Sequence, residues 1–171
     1  MVIFLSEDPW KALSPITESW LLSANSGVET FKFPEGNYAG YVPYFFFTGT
    51  KVKTVDMSPI KYLHKYAFYK SGITEITIPG TVITVQDGVF RESTDLTTVV
   101  MEEGVKTISA EMFYGCTSLK RIVIPSTVET IASDAFTGCT SLTDVVLSED
   151  NGVYEYKDGV IYSKTEKTVV A

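Results

Sequence analysis

The sequence predicts a solenoid of short stacked repeats with a parallel β-sheet along one face. Ile73, Leu96, Leu119 and Leu142 follow one another at intervals of 23 residues, and each begins the same series of apolar positions. Self-similarity at a fixed period of this length is typical of repeat architectures, in which each unit stacks on the next. The repeat therefore decides the fold class before any single element is considered.

Each unit combines a strand, a second extended segment and a compact turn. In one unit Ile122 and Ile124 alternate, which places both on one face of a short strand. Pro125 follows and, because it lacks an N–H, is expected to end the ladder. The segment 128–131 predicts a second short extended stretch. Phe136 is expected in a short helical turn, with its ring filling the interior.

The chain divides into three segments. We expect the array over 28–150, with strand starts near 28, 52, 73, 96, 119 and 142. Asp8-Pro9 and Ser14-Pro15 each place a capping residue before a proline, which predicts a small helical N-terminal cap over 1–27. Asp158-Gly159 between alternating apolar residues predicts a β-hairpin within a C-terminal cap at 151–171. That cap is also where a longer chain would continue.

The repeat resembles the BspA-type leucine-rich repeats over about residues 28–150, and 151–164 resembles the hairpin that often follows such arrays. The resemblance implies a leucine-rich-repeat solenoid with an open strand face, used in protein–protein contact and adhesion at a cell surface or after secretion. In place of the usual glycine after the second extended segment stand His64, Ser109 and Ala132. The spacing that carries the resemblance is Leu119-x-x-Ile122-x-Ile124-Pro125-x-x-Val128-x-x-Ile131-x-x-x-Ala135-Phe136-x-x-Cys139.

The composition narrows the class of partner. Hydrophobic residues make up 44% of the chain, which is typical of a folded domain, and the net charge of −7 repels nucleic-acid phosphates. No apolar run reaches the roughly 20 residues that a membrane-spanning helix requires. Residues 1–5 are apolar but too few for a signal peptide, so we expect none in this chain. These observations favour a protein, or a carbohydrate, as partner.

No pattern of catalytic, cofactor-binding or metal-binding residues is found. The chain has a single histidine, His64, which is expected to face solvent, and no nucleophile or phosphate-loop motif. Two cysteines are too few for a zinc site. Ser71, Ser93, Cys116 and Cys139 share one repeat position, which predicts a column of small buried side chains. A disulfide between the cysteines is the alternative, because adjacent strands lie about 4.8 Å apart.

Three surfaces are candidates for contact with a partner. Along the strands, one outward column ends in three valines flanked by a charged pair; valine also simply suits a strand. The segments 38–47 and 61–70 are rich in aromatic residues, which are favoured in contacts but also serve as packing. The candidate residues are Val100, Val123, Val146, Arg121, Asp144, Tyr44, Phe46, Tyr62 and Tyr66.

Two functions are compatible with this pattern. The first is a non-enzymatic protein-binding or adhesion module that presents a curved repeat surface. The alternative is a structural or assembly subunit, such as a virion or scaffold component, which docks through its N-terminal and aromatic segments. The second function would include a homo-oligomer.

Overall fold

The computed structural model describes residues 2–4, 28–33 and 40–170 of the chain. These residues form a parallel β-solenoid that ends in an antiparallel hairpin. The described strands are, in chain order, β1 (Val2–Phe4), β2 (Thr30–Lys32), β3 (Tyr41–Val42), β4 (Thr54–Asp56), β5 (Tyr62–Leu63), β6 (Glu75–Ile78), β7 (Thr84–Val85), β8 (Thr98–Met101), β9 (Thr107–Ile108), β10 (Arg121–Ile124), β11 (Thr130–Ile131), β12 (Asp144–Leu147), β13 (Tyr154–Lys157) and β14 (Val160–Ser163).

The strand face consists of one strand from each turn, and all of its pairs are parallel. Each array strand begins two residues after the start that the sequence predicts, for example at Thr98 for the start near 96. The face is not one sheet, however: β1, β2 and β4 form one and β6, β8, β10 and β12 another. A hydrogen bond from Thr74 N to Lys53 O (3.1 Å) crosses the gap between β4 and β6. The ladder breaks where the unit that starts at Val52 is two residues shorter than its successors.

The expected helical cap is replaced at its start by a strand. Val2–Phe4 pairs in parallel with Thr30–Lys32 and so extends the strand face by one member. Valine, isoleucine and phenylalanine favour extended backbone, and the edge of β2 supplies partners for it. The helices expected from Asp8-Pro9 and Ser14-Pro15 lie outside the described residues.

The short extended segments form a second row on the next side of the solenoid. In this row β3, β5 and β7 pair with one another, and β9 pairs with β11. All of these pairs are parallel and only two residues long, as in Tyr62↔Thr84 and Leu63↔Val85. The second extended segment of each repeat therefore contributes a ladder of its own.

The third side is built from overlapping turns, so the expectation of helical turns is wrong for the described residues. Residues 65–70, 87–92 and 110–115 each form such a chain of turns. Within each of them a residue with positive φ stands at the second position and another at the last, as at Tyr66 (59°) and Lys70 (52°). An α-helix needs negative φ throughout, so these segments are unable to become helical.

The turns are instead hydrogen-bonded to one another. The N–H of each interior phenylalanine donates to a carbonyl one turn further on: Phe47 N to Ala67 O (2.8 Å), Phe68 N to Val89 O (2.8 Å), Phe90 N to Met112 O (2.9 Å) and Phe113 N to Ala135 O (2.9 Å). An unpaired buried N–H is costly, so this ladder replaces the hydrogen bonds that a helix would provide.

A stack of five phenylalanine rings fills the interior. Neighbouring ring centroids lie 4.6–5.6 Å apart and the planes are within 24° of parallel. The first four rings are fully buried, whereas Phe136 is partly exposed because no further ring covers it. The expectation that Phe136 is almost fully buried is therefore wrong. The stack comprises Phe47, Phe68, Phe90, Phe113 and Phe136.

The column of small side chains binds the carbonyls of these phenylalanines. Ser93 Oγ donates to Phe68 O (2.6 Å), Cys116 Sγ to Phe90 O (3.1 Å) and Cys139 Sγ to Phe113 O (3.1 Å). Both cysteines are free; Cys116 is buried and Cys139 is only partly so. Burial raises the pKa of both thiols, that of Cys139 to about 11. The column thus ties each turn to the one before it.

The C-terminal hairpin closes one side of the array. Asp158 (φ 52°) and Gly159 (φ 82°) form its two-residue turn, since both accept the left-handed conformation that such a turn requires. Asn151 Nδ2 lies within hydrogen-bond distance of the Pro125, Ser126 and Val128 carbonyls. Tyr154 Oη accepts the N–H of Ile131 (3.0 Å). The hairpin thereby provides partners for backbone groups of the last second-row strand.

Removal of one interior ring is expected to destabilise the whole array. Phe113→Ala should lower the free energy of unfolding by about 3–5 kcal/mol, because it leaves a cavity between two neighbouring rings. Chemical denaturation followed by circular dichroism measures this loss. Ile83→Ala is the control, since Ile83 is 68% exposed and should change stability by about 0.5 kcal/mol or less. A loss below about 1 kcal/mol for Phe113→Ala would contradict this role.

The thiols are expected to resist alkylation in the folded protein. A raised pKa keeps Cys116 and Cys139 protonated, and the thiolate is the nucleophile. At pH 8 iodoacetamide should label both only after denaturation, as measured by mass spectrometry without reductant. Burial raises the pKa of the Cys139 thiol above its unfolded value, so thiol ionisation leaves the free energy of unfolding at its full value below about pH 9. The free energy of unfolding then declines as the pH rises through about 11, because the unfolded state loses the thiol proton more readily. Rapid labelling of native Cys116 would contradict this assignment.

Candidate binding surfaces

The valine column predicted from the repeat lies on the strand face. Val100 pairs with Val123 and Val123 with Val146, so the three side chains stand side by side on β8, β10 and β12. Val100 and Val123 are partly buried by their neighbours and Val146 is 39% exposed. Val146 is therefore the most exposed of the three valines.

A charged pair flanks the column, as the sequence suggests. Arg121 Nη1 forms an ion pair with Asp144 Oδ2 on the adjacent strand. Their side chains are 45% and 49% exposed, so the pair stabilises the fold by no more than about 1 kcal/mol. Both groups stay accessible to a partner.

A groove of about 610 Å³ continues the strand face towards the N-terminus. It lies where β4 and β6 are not paired, and Val100 forms part of its wall. Three carboxylates line it, Asp56, Glu75 and Glu102, whereas its lining within the described part of the chain includes no lysine or arginine. The remaining lining residues are mostly threonine, serine and apolar side chains. A concave, acidic surface thus adjoins the apolar valine column.

Hydrogen bonds from backbone and side chains reach two carboxylates of the groove. Ser58 N donates to Asp56 Oδ1 (3.0 Å), and this hydrogen bond, followed by one from the Ser58 side chain, lowers the pKa of Asp56. Lys32, which is paired with Asp56 across the strands, acts in the same direction. Glu102 accepts a hydrogen bond from Gly80 N (3.3 Å). A negative potential at neutral pH follows from this arrangement.

A second surface is formed by aromatic rings on the second row. Tyr41 and Tyr62 are stacked with centroids 4.5 Å apart. The His64 ring lies between Tyr41 (5.5 Å) and the more exposed Tyr44 (4.8 Å). His64, expected to face solvent, is instead half-buried, and its Nδ1 is enclosed without a hydrogen-bond partner among the described residues. His64 belongs to the aromatic packing of this side.

The neighbouring phenylalanines of the first turn differ in role. The Phe46 ring is partly buried and contacts Phe31 (5.9 Å) and Phe47 (4.8 Å), so most of it serves the core. Phe45, which the sequence pattern did not single out, is 51% exposed and stacks on Tyr66 (5.3 Å, 27°). Phe45 is therefore the more accessible of the two.

Phe45 and Tyr66 both adopt the left-handed conformation, with φ of 56° and 59°. This conformation is unfavourable for bulky residues and costs about 1–3 kcal/mol at each position. One turn further on the same position is Gly88, and a Cβ there would lie 2.3 Å from Tyr66 Cε1. The glycine leaves the space in which the Tyr66 ring lies.

These rings border a cleft of about 390 Å³ on the turn side. Phe45, Tyr66 and Tyr69 form one wall, and Arg91, Glu92 and Glu111 the other. Arg91 pairs with Glu111 (Nη1–Oε2, 2.7 Å) and Glu92 (Nε–Oε1, 3.4 Å). It also stacks over the Tyr114 ring at 4.1 Å, which fixes the guanidinium plane. In the sequence, a comparison of the side chains at equivalent positions of successive repeats would have identified Phe45 and Arg91, whereas the search for aromatic-rich segments did not.

The described part of the chain offers no basis for metal chemistry. Within residues 2–4, 28–33 and 40–170, no group of three or more His, Cys, Asp or Glu side chains is placed to hold a metal ion. In the same residues no helix has the length and apolar character that crossing a membrane would require.

The repeats match a known family. The profile described as "BspA type Leucine rich repeat region" matches residues 16–143 and 61–169, with six copies. The chain belongs to the BspA-type leucine-rich repeat family. The match covers most of the sequence, including the hairpin. No curated protein sequence matches the chain.

Several solved structures share the fold of this leucine-rich-repeat array. The pneumococcal vaccine antigen PcpA is 24% identical, with a TM-score of 0.74 over 83% of this chain and 36% of that one. A leucine-rich cell surface protein from Faecalibacterium prausnitzii A2-165 is 25% identical, with a TM-score of 0.54 over 79% and 42%. A leucine-rich repeat protein from Eubacterium ventriosum ATCC 27560 is 18% identical, with a TM-score of 0.52 over 84% and 38%. The chain thus spans well under half the length of these proteins.

Proposed function

We propose that this leucine-rich-repeat array is a non-enzymatic protein-binding module that holds its partner on the strand face. The observation that carries the proposal is the continuity of two unlike surfaces, which meet at Val100. One is the valine column and the other is the acidic groove. The apolar column favours affinity for a partner. The negative charge of the groove favours one orientation of that partner.

The charge of the groove specifies the chemistry of the partner. Asp56, Glu75 and Glu102 attract a segment that carries lysine or arginine, and their spacing along the face favours an extended segment. An apolar side chain of the same segment would contact the valines. We therefore infer a basic, partly apolar protein segment as the ligand of this face.

The relatives support a role at a surface. The Faecalibacterium protein is described as a leucine-rich cell surface protein and the pneumococcal one as a vaccine antigen. This likeness supports the proposal of a surface or adhesion module. The single histidine of the sequence and the absence of a catalytic motif favour binding over catalysis.

A charge placed in the valine column should abolish binding and spare the fold. Val123→Glu puts a carboxylate between Val100 and Val146, where it would be desolvated by a bound partner. Candidate partners are captured from surface-protein extracts, identified by quantitative mass spectrometry, and then titrated as purified proteins by biolayer interferometry. We expect the affinity of a specific partner to fall about 30-fold or more.

The matched control is Ile83→Glu, the same type of change at a residue that is 68% exposed on the second row. It should leave binding within about twofold of wild type. Glu75→Gln together with Glu102→Gln should weaken binding and reduce its dependence on salt. Equal binding by wild type and Val123→Glu, with both folded, would exclude the strand face.

A second candidate function, assembly into a larger structure, is favoured by the last turn. The N–H groups of Asp134, Phe136 and Gly138 continue the ladder of the turn side but have no acceptor among the described residues. Phe136 and Cys139 are also only partly covered there. A further turn of chain, or a second copy, would supply the carbonyls.

The oligomeric state separates these functions. A binding module should remain monomeric from about 1 µM to about 1 mM, whereas an assembly subunit should reach a defined higher mass within that range. Size-exclusion chromatography with multi-angle light scattering measures the mass directly. A stable dimer or larger species would favour assembly over the module.

A further inference from the structure

We propose that the turn-side cleft bordered by Phe45, Tyr66, Tyr69, Arg91 and Glu111 is a carbohydrate-binding site. Its ligand would be a neutral hexopyranose unit of a glycan. The site lies on a different side of the solenoid from the valine column and shares no lining residue with the acidic groove. The proposal therefore stands or falls independently of the strand face.

The aromatic wall supplies a flat apolar platform. Phe45 is 51% exposed, and its ring stacks on Tyr66 with centroids 5.3 Å apart. Tyr69 extends the wall, with its ring 5.9 Å from that of Tyr66. One face of a pyranose ring presents C–H groups, which pack well on such a platform.

The opposite wall is polar but electrically balanced. Arg91 and Lys70 carry two positive charges, and Glu92 and Glu111 carry two negative charges, joined by ion pairs of 2.7–3.4 Å. An ionic ligand would find no unpaired charge of opposite sign. Each carboxylate nevertheless has further acceptor sites and the guanidinium has further donors. This capacity suits the hydroxyl groups of a neutral sugar.

The two rings stand at a repeat position that other turns fill with quite different residues. Phe45 and Tyr66 hold positive φ, at a repeat position that is glycine or glutamate in the next two turns, Gly88 and Glu111. The fold therefore does not require an aromatic residue at this position. The cleft volume of about 390 Å³ is also within the range of small-molecule sites.

The test removes the exposed ring while keeping the backbone. In Phe45→Gly the glycine accepts the φ of 56° without strain, so the fold should be preserved. The control is Asp158→Gly, which makes the same kind of change at φ 52° in the hairpin turn. Isothermal titration with neutral malto-, cello-, chito- and manno-oligosaccharides at up to about 10 mM measures binding. We expect at least one series to bind.

Phe45→Gly should weaken that binding about tenfold, since it removes one stacked ring, whereas Asp158→Gly should stay within about twofold of wild type. Phe45→Leu, which keeps apolar bulk but removes the flat ring, should also weaken binding. Its control is Tyr162→Leu, a comparable loss of a ring on the hairpin.

Three outcomes would overturn the proposal. The first is that none of the four neutral series binds at these concentrations. The second is that sugar binding is unaffected by both Phe45 variants while they remain folded by circular dichroism. The third is that tetramethylammonium or an arginine-containing peptide binds the cleft in a Phe45-dependent manner and the sugars do not. That result would reassign the cleft to a cation.

Discussion

The hydrogen bonds between successive turns are the constraint on which the rest of the structure depends. On the turn side each turn donates alternate N–H groups to carbonyls of the next turn, and along the two rows of strands parallel ladders join successive turns. These bonds replace those of a helix and hold one phenylalanine per turn in register, so that the rings stack. Cys116 and Cys139 then reach the phenylalanine carbonyl of the preceding turn. The stacking that pairs the backbone N–H and C=O groups is therefore also the stacking that packs the core.

Register also determines what the surface can present. Because each turn repeats the last, every outward position becomes a column with one side chain per turn, as in Val100, Val123 and Val146. Concave features arise where the repeat is irregular. The acidic groove lies where β4 and β6 fail to pair, and the aromatic cleft begins at the bulky residues Phe45 and Tyr66. The regular turns stabilise the array, whereas the irregular turns form the concave surfaces with distinct charge and aromatic character.

The two proposed sites would bind their ligands through different kinds of interaction. The strand face combines fixed negative charge with a shallow apolar column, which suits a basic protein segment and makes binding sensitive to salt. The cleft has balanced charges and an exposed aromatic wall, which suits a neutral ligand. Their placement on separate sides would let one array contact two kinds of ligand.

The sequence by itself determined the class of fold, the position of the strands and the interior phenylalanines, because apolar spacing reflects burial directly. It also identified the hairpin turn at Asp158-Gly159 and the column of outward valines. The tertiary structure decided the rest. Whether Phe45 or Phe46 faces solvent depends on backbone φ, and whether 65–70 forms a helix or linked turns depends on the adjacent turn. Neither property is encoded in the spacing of residues within one unit, because both arise from contacts between units.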